Sequence, residues 1–194
     1  MSSSAATADG AARTLLVIRH AEKSTPDHVV RAVDEFGRPN EHELSVLGWQ
    51  RAGALAALLG NANRLHESGL RQPTHLFAAR PTPQTPSVRA VRTLQPLADV
   101  LGLPISLEFC VGAEGELVDR LRTLDGCALV AWEHTAIIGI ATLLLGTNAE
   151  VPVCWPEDRF DLVWAFTGKG ANWRLTQIPQ LLLAGDRSEV IAKD

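Results

Sequence analysis

The stretch "TLLVIRHAEKS", residues 14 to 24, decides the fold. Thr14 to Ile18 is an apolar run too short for a helix, and it reads as a strand buried on both faces. The run stops abruptly at Arg19 and His20, with Glu22 and Lys23 just beyond. A guanidinium beside an imidazole is repulsive when both are charged, and an anion between them would compensate. A buried strand whose carboxyl end carries such groups is the pattern of an open α/β sheet with a ligand site at its rim.

Strand and helix signals alternate outward from this point. Residues 23 to 42 are polar and contain Pro26, Gly37 and Pro39, together with Lys23, Arg31 and Arg38; they read as a loop long enough to suggest function. "ELSVLGWQRAGALAALLG" predicts a helix with Ser45 as N-cap, an apolar stripe of Leu47, Ala54, Leu55, Leu58 and Leu59, and an end at Gly60. "THLFAA" is the second strand, and "RPTPQTP" a proline-rich loop. "SVRAVRTLQPLADVLG" is a helix with Pro96 as a kink. "LPISL" is a short strand and "EGELVDRLRTL" a short helix.

Residues 127 to 146, "CALVAWEHTAIIGIATLLLG", have the length of a membrane span. Glu133 and His134 in the middle would be costly there. The segment reads instead as a strand, Cys127 to Trp132, then a helix from about Thr135 to Leu145. "RFDLVWAFT" and "NWRLTQIPQ", joined by "GKGA", predict a closing antiparallel hairpin. The sum is a three-layer α/β domain over residues 14 to 194, with a mostly parallel central sheet, helices on both faces and an antiparallel edge. Residues 1 to 13 lack the apolar core of a secretory signal and are expected to be a disordered tail.

Composition narrows the function. The net charge of −4 argues against a general nucleic-acid or membrane-surface binder, which would carry a basic excess. Lys23, Lys169 and Lys193 are the only lysines, so arginine dominates the basic set. Cys110, Cys127 and Cys154 are odd in number and widely spaced, which suggests neither a disulfide framework nor a zinc cluster and fits a reduced, cytoplasmic setting.

Three predicted strands end on basic or imidazole groups: Arg19-His20, then Arg80 with Arg89 at the following helix start, then Trp132-Glu133-His134. In a parallel sheet these ends converge. Two arginines and two histidines around one point make an anion pocket, and phosphate suits it best. A neutral imidazole can attack phosphorus, and the arginines would neutralise the oxygens in transit, so neither metal nor cofactor is required.

At these residues the sequence resembles the histidine phosphatase superfamily, in its phosphoglycerate mutase-like branch. "LLVIRHAEK" is similar to the signature around the phosphorylated histidine. "LSVLGWQRA" is similar to the helix start L-[ST]-x-x-G-x-x-[QR]-A. "RAVRTLQPLADVLGLPI" resembles the helix R-A-x-x-T-A-x-x-L-A-x-x-L-G-L, and "ALVAWEHTAII" the strand ending in a second histidine. The resemblance implies His20 as nucleophile, Arg19 and Arg89 as phosphate ligands, and His134 as a further phosphate contact. The family's S-S-P-x-x-R-A is stretched here to "AARPTPQTPSVRA", so Arg80 competes with Arg89; Arg89 is preferred because R-A-x-x-T matches there. The proton donor stays open. Acid-phosphatase relatives place an aspartate after the second histidine, where Thr135 stands. Glu22, Glu114, Glu116 and Glu133 are candidates, although strand alternation would point Glu133 away.

The expected activity is metal-independent hydrolysis of a phosphomonoester through phosphohistidine at His20. A phosphomutase and a non-catalytic phospho-ligand module are the alternatives. The expected partner is a small phosphorylated molecule, not nucleic acid or membrane, and a homodimer is compatible with the sequence. Specificity is expected from loop 23 to 42 and from "CWPEDRFD", residues 154 to 161, where Glu157 and Asp158 would repel highly anionic substrates. His28, His42, His66 and His75 have no metal-ligand spacing. Trp132, Trp155 and Trp164 are expected in the core, with Trp155 also a candidate pocket wall.

Overall fold

The computed structural model describes residues 13–25, 31–65, 69–146, 151–170 and 172–193. Residues 1 to 12 of the expected tail, and His28 and His66, lie outside them. Arg13 does not belong to the tail: it opens the first strand.

The strands are β1 (Arg13–Arg19), β2 (His75–Ala78), β3 (Ile105–Ser106), β4 (Cys127–Trp132), β5 (Leu162–Lys169) and β6 (Asn172–Pro179). The helices are α1 (Val46–Leu59), α2 (Arg89–Leu101), α3 (Glu114–Thr123) and α4 (His134–Leu145). The sheet order is β3-β2-β4-β1-β5-β6. The first four strands run parallel, β5 is antiparallel to β1, and β6 to β5. Helix α1 packs on α2, and α3 on α4. Strands β1 and β4, flanked on both sides by other strands, are buried almost throughout, which is why they read as unbroken apolar runs rather than as alternating ones.

The register sets the site. Ile18 faces Ala131 and Arg19 faces Trp132. Ladder-like bonds run one step further, from His20 N to the Trp132 carbonyl at 3.0 Å and from Ala79 N to the Ala131 carbonyl at 3.2 Å. The carboxyl ends of β1, β4 and β2 therefore finish level and side by side, as the sequence predicts.

Helix α1 meets the end of β1 at very close range. Ser45 caps it, its Oγ accepting from Gly48 N at 3.1 Å, while Ser45 N donates to the Glu22 carbonyl at 2.9 Å. A Cβ on Gly48 would lie 2.4 Å from that Glu22 carbonyl oxygen, so only glycine lets the helix approach. The expected stripe needs one correction: Leu47 is 43 % exposed, and Arg51, Ala52 and Ala56 are buried instead, because the helix start turns toward residues 20 to 22 and not toward the main core. Helix α2 continues through Pro96 as one element. Helix α4 begins at His134, directly after the strand end. Among the described residues no helix is long and apolar enough to cross a membrane. The three cysteines are free thiols.

Candidate active site

His20 follows the last residue of β1 at the rim. Its Nδ1 lies 2.7 Å from the carbonyl of Ala21. A carbonyl only accepts, so Nδ1 carries the proton and Nε2 holds a lone pair. Burial first, then the charges of Arg19 and Arg89 and a smaller push from His134, lowers the imidazole to about 3 against the pull of the carbonyl bond. His20 is thus neutral at physiological pH. Its backbone is held from the far side by Thr93 of α2, whose Oγ1 accepts from Ala21 N at 2.8 Å and donates to the Arg89 carbonyl at 2.7 Å.

Arg19 is buried, 1 % exposed. Its Nη1 donates to the carbonyls of Pro156, Glu157 and Arg159 at 3.2, 2.6 and 3.2 Å. Its guanidinium lies 3.8 Å from the centre of the Phe160 ring, a contact worth about 0.5–2 kcal/mol. The opposite edge, Nε and Nη2, is buried and has no hydrogen-bond partner among the described residues. That edge carries two parallel N–H bonds, the geometry that grips two oxygens of a phosphate. An unpartnered buried donor is costly, about 1–3 kcal/mol each, so this edge could accept an anion. Burial lowers the Arg19 pKa to about 10, with Glu157, Glu22, Asp158 and Glu133 resisting, so the cation persists.

Arg89 is the first residue of α2. Its Nε donates to the Glu43 carbonyl at 3.2 Å and its Nη2 to the Glu41 carbonyl. Burial lowers its pKa, while Glu133 and Glu41 raise it. Arg80 also reaches the site, but its side chain is exposed and only its backbone N–H is tied, to Phe109 at 2.9 Å. His20, Arg80, Arg89 and Glu133 line one cleft of about 190 Å³, with His42 and Ser87.

His134 opens α4, where the unpaired amides and the positive end of the helix dipole favour an anion. Its Nδ1 is buried and unpartnered among the described residues. Burial, and then the charge of Arg19, depress its pKa. Glu133 is not turned away. It stands after the last strand residue as the N-cap of α4, where alternation no longer applies, and its side chain makes no cap bond.

The other candidate carboxylates are held differently, and Glu22 Oε2 is buried with no hydrogen-bond partner among the described residues. Glu22 Oε1 accepts from Arg51 Nε and Nη2 at 2.9 and 2.7 Å. Glu114 accepts from Trp132 Nε1 at 2.9 Å and Gly112 N at 3.0 Å. Glu116 is exposed and does not line the cleft. Trp155 is buried, its Nε1 donating to the Arg159 carbonyl at 2.8 Å, and it is no part of the cleft wall. Glu157 and Asp158 are both exposed, and Asp158 pairs with Arg187 at 2.8 Å. Among the described residues no group of three His, Cys, Asp or Glu side chains is arranged to hold a metal ion.

Sequence reasoning missed Phe160 beneath Arg19 and His42 in the cleft wall. The matched helix patterns already contained the signals for Thr93 and Arg51. The threonine of R-A-x-x-T holds Ala21, and Arg51, at the [QR] position after Gly48, holds Glu22.

No family model matches the chain, and no curated protein matches it by sequence. Solved structures do. The protein histidine phosphatase SixA complexed with tungstate aligns with a TM-score of 0.53 at 17 % identity, over 86 % of this chain and 97 % of that one. Mycobacterial glucosyl-3-phosphoglycerate phosphatase aligns with a TM-score of 0.51 at 19 % identity, over 85 % and 97 %. A protein described as mycobacterial hydrolase 1 aligns with a TM-score of 0.54 at 17 % identity, over 86 % and 97 %. At these identities the likeness is one of fold.

Proposed function

Because the chain has the fold of the histidine phosphatases, we propose that it hydrolyses a phosphomonoester through a phosphohistidine at His20. One observation carries the reading: a neutral imidazole with a free Nε2 stands beside a buried arginine whose bidentate edge has no partner. That Arg19 edge would hold two phosphoryl oxygens, with Arg89, His134 and the start of α4 neutralising the charge that develops on them. Nε2 attacks phosphorus in line as the ester bond breaks. Glu133, the carboxyl group in the cleft beside His20, gives its proton to the leaving oxygen. It then takes a proton from the water that attacks the phosphoryl–Nε2 bond, which returns inorganic phosphate and free His20. A carboxyl group in the cleft favours turnover over a mere binding module. The arginines supply the positive charge that a metal would otherwise bring.

Exposed Glu157, near Arg19 and His134, favours a singly phosphorylated small molecule or an aryl phosphate over a bisphosphate.

The test is an alkaline denaturing quench after mixing with a labelled aryl phosphate in the presence of chelator. Acid-labile, base-stable label on His20 is expected, and His20→Asn should lower kcat by about 10⁴-fold or more. Label on serine or cysteine, or loss of turnover with chelator, overturns the mechanism. Binding of the phosphate ester with neither label nor turnover in the parent points to the binding module.

A further inference from the structure

The Nε–Nη2 edge of Arg19 stays unpartnered among the described residues while its Nη1 is held on the carbonyls of Pro156, Glu157 and Arg159, although Arg19 itself does not line the cleft around His20. That carbonyl-bearing segment is neither helix nor strand, so something else must hold it. The C-terminal residues 180 to 193 do so. Gln180 donates its backbone N–H to the Asp161 carbonyl at 2.7 Å, and its side-chain Nε2 to the carbonyls of Phe160 and Leu162, both at 3.1 Å. Asp161 accepts from Arg187 N at 2.7 Å and from Arg159 Nε at 2.7 Å. Arg159 Nη2 reaches the Glu189 carbonyl at 2.7 Å. The first turn of the strap is also tied to α1 through Arg51, which holds Asp186 and Gln180 on one side and Glu22 on the other.

Two features separate this strap from ordinary core packing. Its apolar side chains are poorly used: Leu181 and Val190 are 61 % and 49 % exposed, and only Ile191 is buried. Leu181 also sits at φ 50°, a left-handed conformation that a leucine keeps only when its neighbours impose it.

We propose that the strap, acting through Arg159 and Asp161, is a positioning device that aims the bidentate edge of Arg19 at the phosphoryl group. Arg159 and Asp161 touch no substrate; they are positioning residues. The inference rests on the anion-pocket reading above.

The test is a double-mutant cycle on the full chain with orthovanadate as probe, read by calorimetry beside the thermal midpoint. Arg159→Met should weaken vanadate binding about tenfold in the parent and less than about twofold in the Arg19→Ala background, because its effect passes through Arg19. Asp161→Asn should repeat the pattern and serves if Arg159→Met does not fold. Unchanged vanadate affinity with a lowered thermal midpoint overturns the positioning role and leaves the pocket reading intact. An equal loss in both backgrounds also overturns it. A parent protein that binds no vanadate overturns both.

Discussion

The two arginines of the site are held in opposite ways. Arg19 gives one nitrogen, Nη1, to backbone carbonyls and keeps its Nε–Nη2 edge unpartnered. Arg89 spends Nε and Nη2 on the carbonyls of Glu43 and Glu41. Only an end-on approach through its remaining donors is left to an anion. The wall behind Arg19 is made by the strap and segment 155 to 162. The wall behind Arg89 is loop 31 to 45, which α2 clasps a second time through Arg92, bonded to buried Glu43 at 3.0 Å and to Glu35 at 2.6 Å. One arginine is aimed by its surroundings, while the other helps to hold its surroundings in place. The difference teaches that equal charge at a rim does not mean equal function.

The largest expected effect follows directly. Arg19→Ala should lower kcat/KM toward an aryl phosphate by about 10³-fold or more, and Arg19→Lys should be nearly as damaging, because an ammonium cannot offer two parallel donors. Arg89→Ala should lower it by roughly 10²-fold, with a larger share in KM because the loop is released with the charge. Steady-state kinetics on the four-way comparison decide it. Equal losses, or full rescue of position 19 by lysine, break the distinction.

The histidine between the walls gives the next effect. His20 titrates near 3 when folded and near its ordinary value when unfolded. Between those values the unfolded chain binds the extra proton, so stability rises with pH through this window and falls as pH drops from about 6 toward 4. The contribution is at most about 1.4 kcal/mol per pH unit. Urea melts of the parent and of His20→Asn should differ by this slope. Saturating inorganic phosphate should flatten the parent's slope, since an anion beside the ring favours its protonated form. Parallel slopes in parent and variant would show that His20 is not the buried neutral group described.

The smallest effect tests the strap. Leu181→Gly removes the left-handed strain at φ 50° and should raise stability by up to about 1 kcal/mol, while leaving vanadate affinity unchanged. A clear loss of stability would mean that the leucine side chain, and not the polar bonds of Gln180 and Asp186, holds the strap.

Much of this architecture was legible in the residues. A buried strand that must end at a rim does so abruptly, so Ile18 followed by Arg19 marked the edge of the sheet. Gly48 was legible as a motif position before the structure gave its reason, the carbonyl 2.4 Å from where a Cβ would be. Glu133 shows where alternation stops applying: the strand ends at Trp132, and the next residue lines the cleft as the N-cap of α4. The strap left no signal, and segment 154 to 161 stood out only as a polar, Pro-bounded specificity segment, not as the support of Arg19. Their bonds run largely to backbone carbonyls, which every residue type possesses, so no periodicity or spacing betrays them. The unequal roles of Arg19 and Arg89 were hidden for the same reason.

The chain has no tyrosine and five tryptophans. One of them, Trp155, donates its indole N–H to the Arg159 carbonyl, the same oxygen that accepts from Arg19, and its ring lies 5.0 Å from that of Trp164. The protein therefore carries an indole two hydrogen bonds from the Arg19 guanidinium. With no tyrosine present, emission excited where phenylalanine does not absorb arises from indole. A change in how tightly Arg19 pulls on that shared oxygen is expected to alter the field felt by this ring pair, so occupancy of the site should be readable as a change in indole emission.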